Sequence, residues 1–242
     1  MVTHIVPEKV TSPIILAVDT NSLDIAKRWI DATRESVDIF KLGLEFYLTF
    51  GSEGIRTISK QFDVDIFLDL KLHDIPKTVS SATASVASLN PRFLTVHASG
   101  GSEMVTAAVN AAPHVGITAV TILTSLSEDE LFRVGFANPA LESAVALAEL
   151  ATSAGAQAIV CSPLEIAAIR AVVASDVKII TPGVRPSGTE GQDDQKRTMT
   201  PQAAIHEGAD FVVIGRPITG VWNLGAEAMR DAARKISADL SQ

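Results

Sequence analysis

Two carboxylates and two ammonium groups are spaced so that one point in space could receive all four. Asp69 and Lys71 lie two apart in the apolar stretch Phe67-Leu68-Asp69-Leu70-Lys71-Leu72, and side chains two apart on a strand project to the same side. Asp74 follows after a short turn and is read as aiming back at the same point. Lys41 stands in a second apolar run, Phe40-Lys41-Leu42-Gly43. A charge among apolar neighbours costs free energy unless it is paired, so Lys41, Asp69, Lys71 and Asp74 are expected to form one alternating network. Such a network in a site that excludes water can stabilise charge developing on a substrate. The plain alternative is a structural ion network.

The elements that must carry these residues follow from the hydropathy pattern. Eight short apolar runs read as strands: Ile14 to Val18, Ile39 to Leu42, Asp65 to Leu70, Phe93 to Val96, Thr118 to Leu123, Ala158 to Cys161, Val177 to Ile180 and Phe211 to Ile214. A helical pattern follows each, the first capped by Asn21 or Ser22 and carrying Ile25, Ala26 and Ile30 on one face. Runs such as Phe211-Val212-Val213-Ile214 are apolar on both faces, which marks strands of a parallel sheet. Strict βα alternation gives a closed barrel or an open doubly wound sheet. Eight units in 242 residues favour an α/β chain folded as one (β/α)8, or TIM, barrel spanning residues 1–242.

In a barrel the strand ends share one rim, which is the active-site face. Asp19 ends the first run, Thr124 and Ser125 the fifth, and Gly215 and Arg216 the eighth, while Arg185 follows the seventh. From Pro182 to about Thr200 no periodicity survives, and Gly183, Pro186, Gly188 and Gly191 punctuate the stretch. Loops of that length are uncommon unless functional or disordered, and this one follows strand seven, where barrels often bind phosphate.

Composition excludes several classes. The formal charge of −8 argues against a nucleic-acid binder. The single cysteine, Cys161, forbids an internal disulfide and fits a reducing cytoplasm. Residues 1–13 hold no apolar run flanked by basic residues, so no signal peptide is expected, and no uninterrupted apolar stretch of the sequence approaches the roughly 18 residues of a membrane span. No His, Cys or carboxylate cluster has convincing metal spacing. His73 and His97 read as hydrogen-bonded structural residues, and the Ala-rich helices after Leu141 and Asn223 as core packing.

The stretch from Phe67 to Thr78 resembles the Asp-x-Lys-x-x-Asp signature of orotidine 5'-monophosphate decarboxylases. That signature alone arises by chance in roughly one chain in twenty of this length. The resemblance continues through Leu16-Ala17-Val18-Asp19, Phe40-Lys41-Leu42-Gly43, Val96-His97-Ala98, Leu123-Thr124-Ser125, Thr181 to Pro186, Asp194 to Arg197 and Val213 to Pro217. These motifs keep the family's order over almost the whole chain.

The resemblance implies a cofactor-free, metal-free removal of CO2 from C6 of orotidine 5'-monophosphate. Lys71 would stabilise the carbanion and protonate C6. Asp69 would sit beside the departing carboxylate. Lys41 would hold the network and reach the ribose or Asp69, and Asp19 would bind ribose hydroxyls. Asp74, with Ile75 and Thr78, would enter the site from a second subunit, giving a homodimer with shared sites. Thr124 and Ser125 would read the pyrimidine edge. Arg216 and the Gly215 amide would hold the phosphate, and Pro182, Arg185 and Gln195 would close over it, with Gln192 competing for the glutamine's place. Two rivals stand beside this reading. One is a metal-dependent sugar-phosphate decarboxylase or aldolase of the same superfamily, which carries a carboxylate for Mg2+ on the second strand where this chain has Lys41. The other is a barrel that binds a nucleotide without turning it over.

Overall fold

The computed structural model describes residues 12–185 and 199–240. In chain order its strands and α-helices are β1 (Ile14–Ala17), α1 (Leu23–Thr33), β2 (Ile39–Gly43), α2 (Leu44–Gln61), β3 (Asp65–Leu72), α3 (Pro76–Ala87), β4 (Phe93–His97), α4 (Ser102–Ala111), β5 (Gly116–Val120), α5 (Glu128–Arg133), α6 (Ala140–Ser153), β6 (Ala158–Val160), α7 (Ile166–Arg170), β7 (Lys178–Thr181), α8 (Pro201–His206), β8 (Phe211–Ile214), α9 (Arg216–Thr219) and α10 (Ala226–Asp239). The strands close in sequence order, every neighbour parallel, with β8 returning to β1. The expected (β/α)8 barrel is what forms.

Strand alternation divides the core in two. Ile15, Ala17, Ile39, Phe67, Phe93, Ala158, Ile180, Phe211 and Val213 point into the barrel and pack on one another. Their neighbours Leu16, Phe40, Leu68, Leu94 and Val212 point outward beneath the helices. Phe93 meets Phe67 and Phe211 edge-on at 5.9 Å, closing the lower barrel, and the Arg92 guanidinium lies against Phe93 and Phe211. The Ala-rich helices do pack the core: Ala144, Ala148 and Ala151 of α6 and Met229, Ala233 and Ile236 of α10 are buried. Ser22, not Asn21, caps α1, accepting the Ile25 N–H. Among the described residues, no helix is long and apolar enough to cross a membrane.

Two strands differ from the sequence reading by more than one residue at an end. Thr118 to Leu123 was the expected fifth strand, but β5 runs Gly116–Val120. Gly116 already pairs with Phe93, and Val120 is the last residue matched to both His97 and Val160. With both flanking ladders at an end, the chain turns away. The third strand was expected to stop at Leu70 but continues to Leu72 through an irregularity. There Leu68 pairs with Leu94 and Leu72 with Val96, so three residues, 69–71, stand opposite Thr95 alone.

Candidate active site

The interior rows continue upward into charge. On β1 the inward series Ile15, Ala17 leads to Asp19; on β2 Ile39 leads to Lys41; on β3 Phe67 leads to Asp69 and Lys71. Lys41 Nζ lies 2.9 Å from Asp19 Oδ1 and 3.8 Å from Asp69 Oδ2. Lys71 Nζ donates to both Asp69 oxygens at 2.7 Å. The result is a chain of alternating sign, Asp19–Lys41–Asp69–Lys71. No side chain intrudes from the end of β2: a Cβ on Gly43 would come within 3.3 Å of Lys41 Nζ.

One member of the expected network is replaced. Asp74 does not aim back at Lys71; it is exposed, and its carboxylate accepts the N–H of Ile75 beside it. The turn after Leu72 carries it out of the barrel mouth, and Asp19 takes its place beside Lys41. Ile75 and Thr78, at the start of α3, are exposed as well. Asp74, Ile75 and Thr78 therefore lie outside the cavity of their own chain.

Asp69 is nearly buried, with 12% of its side chain exposed. Burial pushes its pKa up, but Lys41, Lys71 and hydrogen bonds from Lys71 and Thr95 outweigh it and hold the carboxyl below the ordinary range. It is a carboxylate at neutral pH. Lys71 sits at φ 48°. A non-glycine residue in that left-handed region costs on the order of 1 kcal/mol, and such strain gathers at functional positions.

These charges form the wall of a cavity of about 460 Å3, ample for a small ligand. Thr124, Pro182, Arg185, Gly215 and Arg216 line it. Ser125 does not: it is exposed in the turn beyond Thr124. Gln195 and its competitor Gln192 lie outside the described residues. Gly183, at φ 81°, lets the chain leave β7 along the rim in a conformation that favours glycine. Burial moves Arg185 below its ordinary value, from a range so high that it stays a cation.

Several lining residues carried no polar signal in the sequence. Phe67, Val120, Ile122, Val160 and Val213 make an apolar floor, and Cys161 joins them. Burial raises the Cys161 thiol well above its ordinary value, so it is a protonated, inert side of the floor. Thr95 was missed too, although strand parity from the inward Phe93 points to it. His73 and His97 stack ring on ring at 5.3 Å. Burial first, then His73 and Lys71 nearby, lower the pKa of His97 and favour its neutral form. Among the described residues, no group of three or more His, Cys, Asp or Glu is arranged to hold a metal ion.

Comparison with known proteins places the chain in a family. A sequence model described as "Orotidine 5'-phosphate decarboxylase / HUMPS family" matches residues 12–231. An orotidine 5'-phosphate decarboxylase of Thermobifida fusca is 51% identical over 222 residues, covering 92% of this chain and 95% of the relative. One from Frankia casuarinae is 42% identical, with 97% and 90% covered. The crystal structure of orotidine 5'-phosphate decarboxylase from Lactobacillus acidophilus superposes with a TM-score of 0.79 at 32% identity, covering 93% of this chain and 98% of that one.

Proposed function

We infer that this chain, which belongs to the orotidine 5'-phosphate decarboxylase / HUMPS family, removes CO2 from orotidine 5'-monophosphate to give UMP. That reaction closes de novo pyrimidine nucleotide synthesis, and the chain is a carboxy-lyase. The observation that carries the reading is the alternating row Asp19–Lys41–Asp69–Lys71, with Lys41 and Asp69 largely buried, opening onto an apolar floor.

The chemistry follows from the charges. Breaking the bond from C6 to its carboxylate leaves an electron pair in the plane of the ring, where no π system can spread it. Placed positive charge must stabilise it. Lys71 is the group we assign to this. Its ammonium meets the pair at C6 and delivers a proton to it, and the resulting amine recovers its proton from solvent. Asp69, ionised and adjacent, faces the substrate carboxylate, and their repulsion ends as CO2 departs. Lys41 holds Asp69 and Asp19 in place, and Asp19 receives the ribose hydroxyls.

Arg216 and the Gly215 amide take the phosphate across the cavity, with Arg185 and Pro182 beside it. Binding energy from that remote group is then available to orient the base. Thr124 reads the pyrimidine edge. Asp74, Ile75 and Thr78, turned outward in their own chain, are assigned to the site of a second copy. This supports a homodimer with shared sites. For the metal-dependent rival, the decisive place is the second strand. There an ammonium, Lys41 Nζ, already bridges Asp19 and Asp69, and it would repel Mg2+.

The test is direct. Purified protein is mixed with orotidine 5'-monophosphate and excess EDTA, and the fall in orotate absorbance is followed. Turnover should persist with chelator and drop by several orders of magnitude in Lys71→Ala. Loss of activity on chelation would favour the metal-dependent rival. Tight UMP binding with no turnover would favour a binding protein.

A further inference from the structure

The hydroxyl of Thr95 occupies an unusual position. It is fully buried on β4 and makes two hydrogen bonds, both to the machinery of β3. It donates to Asp69 Oδ1 at 3.0 Å and accepts the backbone N–H of Lys71 at 2.8 Å. The direction is forced: the amide can only donate and the carboxylate can only accept. Other buried threonines of the barrel behave differently. Thr118 donates to the carbonyl of Gly116 and Thr181 to that of Cys161, so their hydroxyls serve the backbone.

The irregularity in β3 explains why a hydroxyl is needed here. With residues 69–71 opposite Thr95 alone, the strand ladder is interrupted. The Lys71 N–H has turned with its backbone to φ 48° and bonds a side chain instead of a strand carbonyl. A buried amide must find a partner. One oxygen atom thus ties the carboxylate of Asp69 to the backbone that aims the Lys71 ammonium.

We propose that Thr95 is a positioning residue for the reaction: its hydroxyl fixes the Asp69 carboxylate and the Lys71 backbone relative to each other, so that anion and proton donor meet the substrate at a set separation. This rests on the decarboxylase reading given above. Thr95 does not line the cavity described above, so it acts through Asp69 and Lys71. Small displacements of reacting groups are enough to cost large factors in rate.

The test compares Thr95→Val, which keeps the shape and removes the hydroxyl, with Thr95→Ser, which keeps the hydroxyl. In Thr95→Val, kcat should fall at least about tenfold, the scale of a lost hydrogen bond to a charged group. Thr95→Ser should stay within about threefold of the parent, and UMP affinity should be unchanged in both, since the phosphate anchor lies elsewhere. A second measurement needs no turnover: the Asp69 carboxyl carbon is titrated by NMR. Its pKa should rise in Thr95→Val, which loses a donor to the ionised form, and should follow the parent in Thr95→Ser. Thr95→Ala serves the same comparison if the valine variant does not fold. Parental kcat and titration in Thr95→Val, or no rescue by serine, would overturn the proposal. Absence of turnover in the parent would defeat the decarboxylase reading instead, and the titration alone would then decide whether Thr95 sets the state of Asp69.

Discussion

Asp69 carries two duties that pull in opposite directions. Its charge is buried, which opposes ionisation, yet Lys41 and Lys71 flank it and keep it ionised. Because its pKa is lower in the folded chain than in the unfolded one, the carboxylate contributes stability above about pH 4, the ordinary carboxyl value. That contribution is lost as pH falls through the lowered folded value. Asp69→Asn removes the titration. The stability gap between parent and variant, read from urea midpoints, should therefore be widest near neutrality and narrow below about pH 4. A gap that stays constant across that window would mean that Asp69 is not held ionised by its neighbours. The same variant should lose turnover.

At the scale of elements, the barrel separates what holds it together from what reacts. Gly116, at the start of β5, faces the closed lower end, where an added Cβ would stand 2.7 Å from a ring carbon of Phe93 and 2.8 Å from the Arg92 carbonyl. Gly116→Ala should cost about 1–3 kcal/mol through overpacking, lowering the melting temperature while leaving kcat within about twofold. Gly43, at the end of β2, faces the charged rim, where its added Cβ would crowd Lys41 Nζ at 3.3 Å. Gly43→Ala should do the reverse, cutting kcat by about tenfold or more with little change in melting temperature. Calorimetry and initial rates on the two variants check both expectations. The strand register supplies the cause: Gly43 pairs with Asp69, whereas Gly116 pairs with Phe93.

For the whole molecule, the outward turn of Asp74 is the informative feature. If α3 of one copy completes the cavity of another, two inactive variants should repair each other. Mixed in equal amounts and allowed to exchange subunits, Asp74→Ala and Lys71→Ala should recover about one quarter of parental activity. Half of the dimers are then mixed and each holds one intact site. Recovery should vanish if the variants are covalently prevented from exchanging. A mixture as inactive as its parts, in a chain that sediments as a dimer, would return Asp74 to its own subunit.

Eight apolar runs separated by helical patterns determined the barrel, because parallel strands buried on both faces have few ways to close in 242 residues. Charge inside those runs marked Lys41, Asp69 and Lys71, since a lone ion among Leu, Ile and Phe must find a partner. Which partner it finds is decided only in three dimensions. Along the chain Asp74 is the expected fourth member, but the turn after Leu72 sends it outward while β1 delivers Asp19 to Lys41. Thr95 was silent for the same reason. A threonine in a strand has no signature of its own, and its meaning comes from the strand irregularity across from it, which pairing between distant segments creates.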